Sequence, residues 1–368
     1  MAFHRKLVAT GAMGGLTDER RLSTTFINRI IQELGASVLE RFQVLNTNTA
    51  CALLPSIPAA QRLITSLTVK GTGHFVSPYI QLFVPSTATR DKNNGREEDD
   101  ADCRWATFYA MLYHSDLTHE AMSVWRETGD GITSRHAEFA LEWFQFLESR
   151  CINDSFCARP DLIQDEALGK DLPSLPPAAT TAKEVDAIKA LLAKSAASDI
   201  PGQTPVFPRD VFLYPKGLCG IYAVARCLVP DGLAAESQVV IYGWPYAETV
   251  KCVERSGWGR VILYGKGTEA DLDDLEKKLV AGERIQVLFC ELPSNPQLTS
   301  PDLDRIRRLA DNYGFVVACG ETLGTFVNVD ILLPCLPLTA SLSVFSATAS
   351  CSRAVRVSIC GDFMNGRG

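Results

Sequence analysis

From about Asp210 onward the chain alternates short apolar runs with amphipathic stretches. Gln238–Tyr242 (QVVIY) is apolar and ends at Gly243, and Arg260–Tyr264 (RVILY), Ile285–Cys290 (IQVLFC) and Phe315–Cys319 repeat the pattern. Near-continuous apolar runs of this length predict strands buried on both faces. Between them, Ala247–Arg255, Thr268–Val280 and Pro301–Asn312 place apolar residues at helical spacing. The middle one, TEADLDDLEKKLV, sets its acids first and its lysines late, the order that the helix dipole favours. Strand and helix alternating with short joints predict an α/β fold, a mostly parallel sheet with helices on both faces.

The first part of the chain is less regular. Residues 1–165 mix helical patterns such as Arg21–Leu34 with short apolar strands such as Gln81–Val84, which reads as an α+β region. A polar run at Thr87–Asp102 (TATRDKNNGREEDDAD) predicts a solvated loop. Prolines in DLPSLPPAA mark a linker over residues 166–200, and Thr180–Ser198 predicts an amphipathic helix with Val185, Ile188, Leu191 and Leu192 on its apolar face. Residues 201–346 then form the α/β core, and 347–368 a tail.

Composition narrows the class. An apolar fraction of 46% with 21% charged residues excludes a disordered chain, a collagen and a coiled coil. The net charge of −7 gives no electrostatic hold on nucleic acid or anionic membrane. Arg5 and Lys6 are followed by no apolar stretch, and no apolar run reaches about 18 residues. The expectation is a cytoplasmic protein with neither secretory signal nor spanning helix. Twelve cysteines are scattered without a C-x-x-C pair, and the five histidines do not join them at ligand spacing. The cysteines read as reduced thiols, and no metal site is expected.

In parallel sheets ligands sit beyond the carboxyl ends of the strands, so the loops after the strands are where chemistry belongs. Those loops carry Gly243-Trp244-Pro245-Tyr246, Glu291-Leu292-Pro293-Ser294-Asn295-Pro296 and Gly320-Glu321-Thr322. Upstream, Tyr214-Pro215-Lys216-Gly217-Leu218-Cys219-Gly220 sets a glycine turn directly before a helix, a place where backbone N–H groups can meet an anion such as phosphate. Taken singly, Tyr246 is a packed aromatic and Asn295 a turn residue before proline. Their placement on successive strand ends gives them a joint meaning.

Long ordered motifs carry a family resemblance. They are Asp210–Tyr222 (DVFLYPKGLCGIY), Tyr242–Thr249 (YGWPYAET), Ala270–Glu276 (ADLDDLE), Phe289–Pro296 (FCELPSNP) and Tyr313–Asp330 (YGFVVACGETLGTFVNVD). With Trp125–Ala137 (WRETGDGITSRHA), they resemble the fungal cystathionine γ-synthase group of the Cys/Met-metabolism pyridoxal-phosphate enzymes. The resemblance implies the large domain of the type I fold of pyridoxal-phosphate (PLP) dependent transferases. It implies that Gly217 and Leu218 give backbone amides to the cofactor phosphate, that Tyr246 stacks on the pyridine ring, and that Asn295 bonds the ring hydroxyl. It implies that Arg135 reaches a phosphate on a neighbouring subunit, in a homodimer or in a hetero-oligomer with a homologue. The implied reaction is γ-replacement on an activated homoserine ester by cysteine, an amino-acid substrate chemistry in which the cofactor is the electron sink.

Three departures from the family pattern set the expectation for this chain. Where the family has an aspartate that pairs with the pyridine nitrogen, this sequence has Gly320, with Glu321 as its neighbour. In an extended segment that neighbour points the other way, although its charge is the right one. Where the family has the lysine that forms the Schiff base, the matching stretch is Ser341-Leu342-Ser343-Val344-Phe345-Ser346, so the position falls near Ser343/Val344. No lysine follows Lys278, and Lys216 in the phosphate turn is the nearest candidate in motif terms. The tail after Phe345, with Arg353 and Arg356, matches no family motif, so the C-terminal small domain is expected to be missing. Three readings stay open: an active transferase with unusual site residues, a pseudoenzyme that binds cofactor or joins an active homologue, and the product of a decayed or misread gene.

Overall fold

The computed structural model describes residues 27–44, 48–70, 73–85, 104–151, 181–196, 206–324 and 342–343. In the first unit, helix α1 (Arg29–Arg41) begins where the Asn28 side chain accepts the Ile30 N–H. It is followed by β1 (Thr49–Leu54), α2 (Ile57–Lys70), β2 (Val76–Pro85) and β3 (Arg104–His114). Then come α3 (Thr118–Thr128), α4 (Ser134–Glu142) and β4 (Glu148–Cys151). The four strands form an antiparallel sheet in the order β1-β3-β2-β4. Two expectations shift here. The helix expected over Arg21–Leu34 begins at Arg29, where Asn28 supplies a cap, and runs on to Arg41. The strand read at Gln81–Val84 is the buried middle of a ten-residue strand.

The second unit takes the last turn of α3 and the loop after it, Val124–Asp130, together with the later part of the chain. Its elements are α5 (Thr181–Ala196), α6 (Gly217–Cys227), β5 (Gln238–Tyr242), α7 (Ala247–Arg255) and β6 (Arg260–Tyr264). After these come α8 (Glu269–Val280), β7 (Val287–Glu291), α9 (Leu303–Tyr313), β8 (Val316–Gly320) and β9 (Leu342–Ser343). The five strands form one parallel sheet in the order β6-β5-β7-β8-β9. Strands β5, β7 and β8 are buried without alternation, as a sheet covered on both faces requires. Val224, Val253, Leu272 and Ile306, one from each of four helices, close over Val240, Leu288 and Val317.

Local chemistry sets the boundaries. Thr268 is the cap of α8, its hydroxyl accepting from the Asp271 N–H while the Asp271 carboxylate accepts from the Thr268 N–H. Gly314 ends α9 in the left-handed conformation, φ +75°. The apolar stripe read on α5 is not a buried face: Val185, Ile188 and Leu191 are exposed, while Ala193 and Ala196 in the last turn are buried. The helix is held by its C-terminal end, which leaves the stripe in solvent. The polar run at 87–102 and the proline-rich linker lie outside the described residues. No helix of the described residues is long and apolar enough to cross a membrane.

Candidate active site

The C-terminal ends of β5, β7 and β8 open on a small, mostly apolar cleft. Ile221 of α6, Pro245 and Thr249 near the start of α7, Cys290 and Glu291 of β7, and Gly320 of β8 line it. A parallel sheet leads all three strand ends to the same side, which is why separate loops of the sequence meet here. Glu291 organises the wall. Its Oε1 accepts the Tyr246 N–H at 3.0 Å and the Thr249 hydroxyl at 3.2 Å. Burial holds its pKa above the usual carboxylate value, and hydrogen bonds from Tyr246, Thr249 and the Asn295 backbone pull it partly back.

The glycine turn before α6 forms a second element of the site. Lys216 precedes the helix in extended backbone, φ −146° and ψ 150°, with no side-chain cap on the first turn. Opening N–H groups of a helix have no intrahelical acceptor, and the dipole adds positive potential where they point. Gly217 stands one helical turn before Ile221, so both lie on the face of α6 that reaches the cleft.

Behind this turn runs the loop after α3. The Lys216 ammonium donates to the Gly129 carbonyl at 3.2 Å, and the Cys219 thiol donates to the same oxygen at 3.1 Å. The Lys216 ammonium also lies 5.4 Å from the centre of the Trp125 ring. Burial lowers the Lys216 pKa, and Cys219 and Asp130 partly restore it. Gly129 has φ +73°, and a Cβ there would stand 2.7 Å from the Cys219 sulfur and 2.8 Å from its backbone nitrogen. Only glycine allows this approach.

The residues singled out in the sequence fall in distinct places. Gly217 and Leu218 are in the first turn of α6, Tyr246 caps α7 with its ring about half exposed, and Asn295 lies in the loop after β7. Tyr246 and Asn295 meet through Glu291, whose role the sequence reading did not assign; a lone acid closing the apolar run FC was the available signal. Gly320 lines the cleft, while Glu321 is buried and is not among the lining residues. Ser343 pairs with Ala318 in the parallel register of β9 against β8, and Val344 lies outside the described residues. Arg135 is exposed on α4, in the first unit.

These residues fit one part of pyridoxal phosphate and not another. The turn at Gly217 offers amide donors to a phosphate, and Tyr246, next in the chain to the lining residue Pro245, has a half-exposed ring. At Gly320 the wall has no carboxylate to hold a protonated pyridine nitrogen, and Glu291, the acid of the lining, is bonded to α7. Among the described residues, no lysine lines the cleft. Cys290 and Cys319 face each other in register on β7 and β8. Their mutual hydrogen bond and burial push the Cys319 thiol well above its ordinary pKa, so it stays protonated.

Comparison with known proteins agrees with the motifs. Residues 30–133 match the family described as the fungal trans-sulfuration enzyme, N-terminal domain. The chain is 39% identical over 319 residues to the cystathionine gamma-synthase-like protein ankD of Aspergillus thermomutatus, covering 83% of this chain and 51% of that protein. It is 30% identical to the cystathionine gamma-synthase-like enzyme iboG1 of Amanita muscaria, covering 88% of this chain and 58% of that enzyme. With cystathionine gamma-synthase of Neurospora crassa it shares 43% identity over 143 residues, which is 38% of this chain and 23% of the enzyme. The chain spans about half the length of the curated relatives it matches over most of its own length. Over most of its length the chain is similar to cystathionine gamma-synthase-like proteins of fungi, and its residues 30–133 match the N-terminal domain of the fungal trans-sulfuration enzymes.

Proposed function

We propose that this chain is a pyridoxal-phosphate-binding member of the family that does not by itself carry out γ-replacement on an activated homoserine ester. The observation that carries the reading is Gly320. It stands on the wall of the cleft at the position where the family motif has its aspartate. Without a carboxylate there, nothing on that wall keeps the pyridine ring protonated, and a neutral ring is a poor electron sink. The lack of a lysine at the family position, which falls near Ser343/Val344, supports the same reading, because neither a hydroxyl nor an aliphatic side chain bonds the cofactor or shuttles protons as an amine does.

In this reading the chain's own residues bind and orient. The first turn of α6 takes the phosphate, Glu291 fixes the loop that presents Tyr246, and Asn295 stands beside it. The chain then serves as a cofactor-binding partner in a homodimer or beside a lysine-bearing homologue. Incubation with pyridoxal phosphate, cysteine and an acylated homoserine should give cystathionine at no more than the protein-free rate. Turnover above that rate by the purified chain would overturn the proposal.

A second reading keeps a covalent role for Lys216. It is favoured by one feature: burial lowers the pKa of this lysine, and a neutral amine is the form that attacks an aldehyde. Its ammonium is held on the Gly129 carbonyl and against Trp125, and it is not a lining residue of the cleft. For that reason the non-covalent reading is preferred.

A further inference from the structure

Outside the cleft, in the first unit, two histidines far apart in sequence, His74 and His114, come together with Asp116 of the turn that follows the second. Strand β2 begins and β3 ends on the same edge, and the His114 N–H donates to the Phe75 carbonyl at 2.9 Å, which places His74 beside His114. Their rings have centroids 4.7 Å apart and are tilted by 34°. The next turn, the short 3-10 segment Ser115–Leu117, carries Asp116 back over His114. The Ser115 N–H donates to the Asn48 carbonyl at 2.9 Å, so this turn is fixed from behind as well.

We propose that His74, His114 and Asp116 form a binding site for a borderline divalent transition metal of the zinc class. One ligand atom from each lies within 4.8 Å of the others. His114 Nδ1 and Asp116 Oδ2 are 3.4 Å apart. Two ligands each about 2.05 Å from a tetrahedral ion stand roughly 3.3 Å from one another, so this pair already has the spacing of a coordination edge. His74 is exposed and needs to swing inward by up to about 1.5 Å to complete a face.

The electrostatics favour a cation. The Asp116 N–H points to His114 Nδ1 at a long 3.4 Å, and when that nitrogen accepts it carries no proton towards the carboxylate. A lone pair and an anionic oxygen then face each other, and an ion between them removes the repulsion. Two imidazole nitrogens and one carboxylate oxygen suit zinc or cobalt better than calcium or magnesium. A water would fill the fourth position, because Asp116 and His74 are open to solvent. Spacing in the sequence conceals this site, since the antiparallel pairing of β2 with β3 is what joins its members.

The test is a titration of the full chain with Co²⁺ at neutral pH in a non-chelating reductant, followed by visible absorption. The expected result is a d–d band that saturates at about one equivalent without a thiolate charge-transfer band, as an N/O donor set requires. Zn²⁺ should displace the cobalt. H74A and D116N should each weaken binding at least tenfold, and H74A, at an exposed position, should leave the circular dichroism unchanged. No saturable band, a band accompanied by thiolate charge transfer, or a band that persists unchanged in H74A would each overturn the assignment.

Discussion

Replacing Gly129 by alanine puts a methyl group where α6 begins. At φ +73° the left-handed backbone costs an alanine about 1 kcal/mol. The new Cβ would also stand 2.7 Å from the Cys219 sulfur and 2.8 Å from its backbone nitrogen. Relieving such overpacking typically costs about 1–3 kcal/mol, for a total of roughly 2–4 kcal/mol. That is a large share of the roughly 5–15 kcal/mol that stabilises a typical domain. The shift also disturbs the carbonyl that accepts from Lys216 and Cys219. Urea unfolding followed by circular dichroism reads the loss as a lower midpoint at unchanged slope. Adding C219A should recover about 1 kcal/mol, because it removes the sulfur contact and leaves the one to the backbone nitrogen. A loss below about 0.5 kcal/mol for G129A would refute the close approach of this loop to α6.

Further outcomes follow from the same structure. Glu291→Ala leaves the Tyr246 N–H and the Thr249 hydroxyl without their acceptor and should cost about 2 kcal/mol in urea unfolding, whereas Glu291→Gln, which keeps an oxygen, should cost less than half of that. Burial raises Cys51 to about 12 and also raises Cys252, while the hydrogen bond with Cys290, together with burial, raises Cys319. Their unfolded forms ionise near pH 8.5, so from there upward the unfolded state holds fewer protons. Stability should therefore fall by about 1.4 kcal/mol per pH unit for each thiol, and C51A should flatten that slope. Arg305 of α9 bonds Glu269, Asp273 and Glu276 of α8, and because those acids are exposed, R305A should cost only about 1 kcal/mol in low salt and less in high salt.

The sheet was readable because parallel strands buried on both faces leave an apolar run in the chain, as in QVVIY and IQVLFC; RVILY has the same look but is the edge strand β6, with Leu263 exposed. Boundaries moved where apolar character and ladder bonding part company: Ile285 is buried but lies before β7. The first unit was harder to read. Strand β2 carries Pro78 and two breaks of register, which blur the alternation a single strand would show. Tyr246, Asn295 and the turn at Gly217 stood out as strand-end and helix-start signals. Glu291 and Gly129 did not, because their roles depend on contacts with Tyr246 and Cys219 that only the folded chain creates.

In the reading proposed above, the cleft takes pyridoxal phosphate without a lysine to bond it. The direct measurement is the visible spectrum of the purified chain with the cofactor, before and after borohydride reduction, followed by peptide mass analysis. The expected result is cofactor that dialyses away and no lysine modified by reduction. A protein-dependent band fixed by borohydride to one lysine would contradict it, and modification at Lys216 would assign the covalent role to the turn before α6.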